Sequence, residues 1–198
     1  GKRRLEAALE AFEDAGNVQI RWRSFELDPN APVEGYDDGP QRLATKYGIS
    51  REEAVSRMEQ LTEMARADGL DLDLIGARGG NTFDGHRLVH LAAEHGLANE
   101  LKERLLHAFH SERALISDHA LLTSLAVEVG LPADEVAELL AGDRFADAVR
   151  EDEQLAGQLG IQGVPCFVVD RKFGVTGAQP AEQLLAMLDR AAAEGAAS

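Results

Sequence analysis

Apolar residues at the spacing of an α-helix open the chain and recur through most of its length. Near the start, Leu5, Ala8 and Phe12 fall on one face of a predicted helix, which Gly16 ends. The same spacing predicts further helices over residues 50–68, 84–95, 98–111, 118–129, 133–141 and 144–158, and a last helix from Pro180 to about Ala192. Ser50 is predicted to cap the first of these, and Gly96 and Gly130 are predicted to end two others in the left-handed conformation. The chain is therefore predicted to be mainly helical.

Two segments have the pattern of strands instead. Val18, Ile20 and Trp22 alternate with polar residues, which predicts a half-buried strand over 18–25. Residues 164–169 are almost continuously apolar and β-branched, as in a central, buried strand, and residues 173–176 can return antiparallel to them. A helical block separates these segments, so the pattern favours an α/β fold in which the outer segments share one sheet.

Composition and charge limit the kinds of protein and partner that fit this sequence. The 198 residues are 44% hydrophobic, enough for one compact core or for one domain with an inserted subdomain. The formal net charge of −15 repels phosphate backbones, so we predict no nucleic-acid partner. No run of about 18 apolar residues occurs, so we predict no membrane span, and no signal peptide is visible, which favours the cytoplasm.

Histidine and cysteine offer little reactive chemistry by themselves. Cys166 is the sole cysteine, so no disulfide can form within the sequence. It is interpreted as a small buried residue or as a redox thiol, and we favour the first. His86 and His90 lie one turn apart, a spacing that metal sites use, but no metalloenzyme motif accompanies them. We therefore predict packing histidines and no metal.

Pro165 needs an explanation, because proline cannot donate to a sheet ladder and yet stands at the start of a predicted buried strand. An ordinary trans proline at a strand start and a cis proline with a function both fit that position. The residues around it and elsewhere in the chain distinguish these alternatives.

Several stretches together resemble one family. They are residues 1–5 (GKRRL), 25–29 (FELDP), 81–88 (NTFDGHRL), 160–169 (GIQGVPCFVV) and 173–180 (FGVTGAQP). In this order they resemble DsbA-like thioredoxin-fold proteins, and within them the FrnE-related oxidoreductases. The 2-hydroxychromene-2-carboxylate isomerases and kappa-type glutathione transferases are relatives that share this fold.

The resemblance implies a thioredoxin-like fold with a large all-helical insertion. Residues 1–39 and 159–198 would form the thioredoxin-like domain, and residues 40–158 the inserted helical subdomain. The first β-strand of such a fold and its reactive Cys-x-x-Cys pair are not in the given sequence. We expect both just upstream of residue 1, in a longer polypeptide.

The resemblance also implies substrate-binding residues. A cis peptide before Pro165 would turn the main chain of Val164 outward, so that a peptide or glutathione backbone pairs with it. His86 would face the active-site groove and tune a thiolate. Asn81 and Thr82 would cap the helix that starts near Asp84, line the groove, or do both. Gln179 would cap the last helix or bind a substrate carboxylate, and capping is favoured.

Three functions remain open at this point. The first is a thiol–disulfide oxidoreductase of the DsbA/FrnE type that acts on protein or small-molecule thiols and disulfides. The second is a glutathione-dependent isomerase or transferase, which would hold glutathione through a serine. The third is a non-catalytic binding module. We predict no bound cofactor, with glutathione as a possible substrate or co-substrate, and an apolar helical surface that would permit a homodimer.

Overall fold

The computed structural model of the chain describes residues 1–36 and 38–196. By packing, the chain divides into two compact units, Gly1–Arg21 with Gln154–Ser198 and Trp22–Glu153. These limits differ from the predicted boundaries at 39/40 and 158/159, and the domain assignment stays a prediction, because packing alone does not define an insertion.

The unit Trp22–Glu153 is helical. Its helices are α2 (Gly39–Tyr47), α3 (Arg51–Ala67), α4 (Phe83–Glu94), α5 (Ala98–Ser111), α6 (His119–Glu128), α7 (Ala133–Ala141) and the first part of α8 (Ala146–Gln158). Helices α4 to α7 pack around one core, made mostly of leucine and alanine. The fully buried leucines Leu88, Leu101 and Leu122 come from three of these helices, each within a range that helical spacing predicted.

Local signals explain where several helices start and stop. The Ser50 hydroxyl accepts a hydrogen bond from the Glu53 N–H at 3.1 Å, as predicted for the start of α3. Gly96 and Gly130 have φ of 71° and 103° after α4 and α6, the left-handed conformation that ends a helix. Helix α2 was missed. The side chain of Asp38 caps it by accepting from the Gln41 N–H at 2.9 Å.

The other unit combines helices with a hairpin. It contains α1 (Lys2–Ala11), a 3₁₀ turn (Ala15–Asn17), the end of α8, β1 (Cys166–Val169), β2 (Phe173–Thr176) and α9 (Ala181–Ala196). Strands β1 and β2 pair antiparallel, as predicted, and the register places Cys166 opposite Thr176. Helix α1 packs against α9, and Ala8, Phe12, Leu184 and Leu188 form the buried centre.

Two strand predictions need correction. Residues 18–25 keep only part of the predicted alternation: Trp22 is half-buried between exposed arginines, but Ile20 is 43% exposed. No described residue pairs with this segment as a ladder. Strand β1 is not central among the described residues, since it pairs with β2 alone, and Val168 is 42% exposed. An apolar run shows that a segment can be buried, whereas burial itself requires a neighbour on each side. In the described part of the chain, no helix is long and apolar enough to cross a membrane.

Stability should depend on the leucine core of the helical unit. Leu101 is fully buried, so Leu101→Ala should lower the free energy of unfolding by about 2–5 kcal/mol, because it removes apolar contacts and leaves a cavity. The matched control Leu61→Ala, at a site 54% exposed, should change it by less than about 0.5 kcal/mol. Urea unfolding at pH 7 measures both, and equal losses would contradict this core.

Candidate functional site

The peptide bond between Val164 and Pro165 is cis and immediately precedes β1. The carbonyl of Pro165 accepts a hydrogen bond from the Gly177 N–H at 2.8 Å, which joins the two ends of the hairpin. Val164 is 49% exposed, and its main-chain N–H and C=O make no hydrogen bond to any residue that the structure describes. A main chain in this state can accept another extended chain.

The start of helix α1 lies directly against this proline. A Cβ atom added to Gly1 would lie 2.6 Å from Cγ and 3.0 Å from Cβ of Pro165, and 3.5 Å from Cζ of Phe167. The Arg4 guanidinium donates to the carbonyl of Ala178, in the turn that follows β2. The first residues of α1 and the turn after β2 therefore lie together beside the cis proline.

The sulfur of Cys166 lies within the hairpin rather than at the helix start. The side chain is half-buried, and its Sγ is 3.8 Å from Oγ1 of Thr176 on the opposite strand. Nε2 of Gln179 donates to the carbonyl of Thr176 at 2.8 Å. The Gln179 amide therefore holds the turn locally, whereas the sequence predicted a cap for the last helix or a substrate contact.

Asn81 and Thr82 lie at the start of α4, and only Asn81 caps it with its side chain. Asn81 Oδ1 accepts from the Phe83 N–H at 2.9 Å. Thr82 occupies the position before the helix without a side-chain cap bond, and its carbonyl accepts from the His86 N–H at 3.0 Å. The helix starts at Phe83, one residue earlier than predicted.

His86 is neutral over the whole physiological range. Burial lowers its pKa to about 3, helped by the positive charge of Lys102 and by His90. The charge of Asp152 and a hydrogen bond with the main chain of Phe25 oppose this shift. A neutral imidazole can still donate or accept a hydrogen bond, but it cannot stabilise a thiolate by charge.

A buried acid that the sequence analysis missed lies beside His90. Asp152 accepts from the Ser24 N–H and from Arg23, both at 2.8 Å, and lies 3.3 Å from Nε2 of His90. Burial alone would raise the pKa of Asp152, but these hydrogen bonds lower it below its usual value. The Ser24 hydroxyl contacts the same nitrogen of His90 at 3.0 Å. A catalytic triad uses both imidazole nitrogens, so this cluster does not form one.

A second acid ties the same extended segment to α8. The side chain of Glu26 is fully buried, and Oε2 accepts from Arg150 at 2.7 Å, while Arg150 also pairs with Glu153. Burial raises the pKa of Glu26, which the Arg150 hydrogen bond partly offsets. Ion pairs and hydrogen bonds therefore hold residues 23–26 against α8, although this segment has no ladder partner among the described residues.

Arg87 is a further residue for which the sequence predicted no role, although it lies within residues 81–88, one of the stretches that resemble the family. It is 4% exposed, and its guanidinium donates to the carbonyls of Leu139 at 2.5 Å, Gly142 at 2.7 Å and Arg144 at 2.9 Å. Asp84 balances its charge at 2.7 Å. Arg87 thus donates to carbonyls at the end of α7 and just beyond it, of which the Leu139 carbonyl also accepts from the Gly142 N–H at 3.2 Å.

The predicted site residues therefore fall into two groups. Val164, Pro165, Cys166 and Gln179 belong to the unit that contains α1 and the hairpin. The other predicted residues, Asn81, Thr82 and His86, cluster at the first turns of α4 in the helical unit. Among the described residues, no group of three or more His, Cys, Asp or Glu side chains has the arrangement of a metal site.

A helix whose start abuts a cis proline at the head of a hairpin strand is the arrangement of a thioredoxin-like fold with its helical insertion. Residues 1–189 match the DSBA-like thioredoxin domain family, and the chain belongs to this family.

Similar proteins support the same assignment. The crystal structure of a probable DsbA oxidoreductase, SCO1869 from Streptomyces coelicolor, is 42% identical with a TM-score of 0.92, and the match covers 98% of this chain and 83% of that one. YwbO of Bacillus subtilis strain 168, an uncharacterized protein, is 27% identical over 174 residues, which is 80% of this chain and 77% of YwbO. The cytosolic disulfide reductase DsbM from Pseudomonas aeruginosa, solved with GSH, is 19% identical with a TM-score of 0.60, covers 95% and 90% of the two chains, and shows the fold alone.

Acid should weaken the fold through His86. Its pKa is about 3 in the folded chain and 6.5 as the ordinary value, so between these pH values the unfolded chain binds more protons. Stability from this group is complete above pH 6.5 and falls on acidification by up to about 1.4 kcal/mol per pH unit. His86→Gln should flatten this slope in urea unfolding between pH 6.5 and 4.5. The exposed control His107→Gln should keep it, and an unchanged slope in His86→Gln would refute the assignment.

Proposed function

We propose that the protein is a thiol–disulfide oxidoreductase of the DsbA/FrnE-like type. The observation that carries this proposal is the contact between the start of α1 at Gly1 and the cis Pro165. Family membership and the 42% identity to a probable DsbA oxidoreductase support it. The FrnE-related kind and a cytoplasmic location, both predicted from the sequence, belong to the same proposal.

The chemistry requires two thiols at the start of α1, which we place in a Cys-x-x-Cys encoded immediately before Gly1. One thiolate attacks a substrate disulfide, forms a mixed disulfide and displaces the other substrate sulfur as a thiolate. The second thiol, after losing its proton, attacks the mixed disulfide, so the enzyme pair is oxidised and the substrate is reduced. The positive end of α1 favours the attacking thiolate by lowering its pKa. The reverse sequence oxidises a substrate.

Val164 supports binding of the substrate main chain. Its exposed position, and an N–H and C=O without a hydrogen bond to any described residue, suit an extended peptide or glutathione, which would add to the hairpin as a strand. DsbM, which has the same fold, was solved with GSH. Proteins and small thiols are therefore both candidate substrates, and Cys166, half-buried in the hairpin, is not required by this chemistry.

The coding sequence upstream of Gly1 and a thiol assay test the proposal together. We expect the coding sequence to show a strand followed by Cys-x-x-Cys. We also expect the protein to reduce insulin or to support oxidative refolding, and to lose this activity when both cysteines are changed to serine. A serine in place of the first cysteine, with retention on immobilised glutathione, would replace the proposal by a glutathione-dependent isomerase or transferase. Absence of both activities would leave a binding module.

Catalytic activity should depend on the close approach of Gly1 to Pro165. Gly1→Ala would place a methyl group 2.6 Å from Cγ of Pro165, so the helix start or the proline must shift. A shift of this size at a reacting centre should lower kcat/KM for disulfide exchange by about tenfold or more. The control Gly16→Ala, where nothing lies within 4 Å of the added carbon, should leave the rate unchanged. Equal rates for both variants and the parent protein would contradict the proposed position of the reactive thiols.

A further inference from the structure

A groove of about 580 Å³ lies between α3 and segment 71–75, the stretch of chain that follows α3. Its lining residues are Glu59, Thr62 and Arg66 of α3, segment 71–75 itself, and Ser111 at the end of α5. A volume of this size is within the range of about 300–1,000 Å³ that ligand sites occupy. The whole lining belongs to the helical unit, so the groove is separate from the cis proline of the other unit.

Helix α5 holds one edge of segment 71–75. The Asp73 N–H donates to the carbonyl of His110 at 2.6 Å, and the Asp71 carbonyl accepts from the Ser111 hydroxyl at 2.7 Å. Alternate residues along an extended chain direct their main-chain groups to opposite edges, so the groups of Leu72 point away from α5. The N–H and C=O of Leu72 make no hydrogen bond to any residue that the structure describes. Segment 71–75 therefore has a main-chain edge that another extended chain can use.

Two carboxylates of the groove lack a counter-charge. Glu59 and Asp71 are exposed, and neither side chain forms a hydrogen bond or an ion pair with a described residue. The other two charged residues of the lining, Arg66 and Asp73, are each paired with a residue of opposite charge. The groove therefore carries two uncompensated negative charges, one from α3 and one from segment 71–75.

These two features select one kind of occupant. A free main-chain edge binds an extended chain by strand addition, and carboxylates bind ammonium or guanidinium groups. A small cation would leave the main chain of Leu72 unpaired, and an uncharged peptide would leave Glu59 and Asp71 unpaired. An acidic peptide is opposed by these carboxylates and by the net charge of −15 on the chain.

We propose that the groove binds an extended peptide segment that contains lysine or arginine. The peptide pairs with the main chain of Leu72 as an added strand, and its basic side chains form ion pairs with Glu59 and Asp71. The partner is therefore a polypeptide with a basic, extended stretch. The groove contains no thiol and belongs to the helical unit, so this binding is independent of the thiol chemistry proposed above.

Calorimetry with a short peptide of alternating threonine and lysine, acetylated and amidated at its ends, tests the occupant. We expect saturable binding of one peptide per chain, which weakens when the salt concentration rises from about 0.02 to about 0.2 M. The same peptide with glutamate in place of lysine should not bind. Spermidine, which has the charges without a peptide main chain, should bind at least about tenfold more weakly. Equal binding of spermidine, or no saturable heat with the lysine peptide, would overturn the proposal.

N-methylated peptides test the pairing with Leu72. One version is methylated at the lysine nitrogens of the main chain and the other at the threonine nitrogens, so each loses the donors of one edge only. One version should bind as the parent peptide does, and the other about tenfold or more weakly. Binding should also slow hydrogen exchange of the Leu72 amide. Equal affinities of the two versions, or unchanged exchange at Leu72, would contradict strand addition.

Charge variants locate the ion pairs. Glu59→Gln combined with Asp71→Asn should weaken binding of the lysine peptide by about fivefold or more, because both counter-charges are lost. The matched control, Glu13→Gln combined with Glu182→Gln, removes two exposed charges from the other unit and should change the affinity by less than about twofold. Equal weakening by the two double variants would show attraction by the net charge alone and would refute the groove as the site.

The parent protein decides the matter if the first double variant does not fold. In that case the protection of the Leu72 amide by the lysine peptide must be present, and it must be absent with the glutamate peptide. Protection of this amide by neither peptide, or by both, would refute the proposal.

Discussion

The helical unit depends on one buried cation. The guanidinium of Arg87 donates to the carbonyls of Leu139, Gly142 and Arg144, and so fixes the end of α7 and the approach to α8 against α4. Without this donor the carbonyls of Gly142 and Arg144 would have no hydrogen-bond partner among the described residues, and the carbonyl of Leu139 would keep only the Gly142 N–H at 3.2 Å. Asp84, one turn before Arg87 on α4, balances the charge at 2.7 Å, so the arginine is held from its own helix.

The position of α8 in turn determines what happens to residues 23–26. Asp152, Arg150 and Glu153 of α8 bind this extended segment through ion pairs and main-chain hydrogen bonds. In a sheet, the hydrogen-bond ladder to a neighbouring strand would hold such a segment. The two buried acids respond to their surroundings in opposite ways. Asp152 has a lowered pKa because several donors surround it, and Glu26 has a raised pKa because burial outweighs its single arginine partner. Because the charges of Asp152 and Glu26 depend on pH, the attachment of residues 23–26 to α8 depends on pH as well.

The unit that contains the hairpin supports the proposed chemistry by a different constraint. Only a residue without a Cβ fits at Gly1 beside Pro165, so the start of α1 approaches the proline more closely than any other residue would allow. The packing of α1 on α9 through Ala8, Phe12, Leu184 and Leu188 sets that approach. The packing of α1 on α9 thus helps to determine how the first residues of α1 meet the start of β1.

The sequence by itself determined most of the helices, the hairpin and the family. Apolar spacing and the residues that cap helices act within a few positions, so Ser50, Gly96 and Gly130 had the predicted effects. Tertiary structure alone decided the roles of Arg87 and Asp152. Their partners lie up to about 130 positions away, and hydrogen bonds keep the pKa of Asp152 below its usual value. Local patterns contain no information on such distances, because hydrogen bonding and desolvation depend on which groups the folded chain brings together.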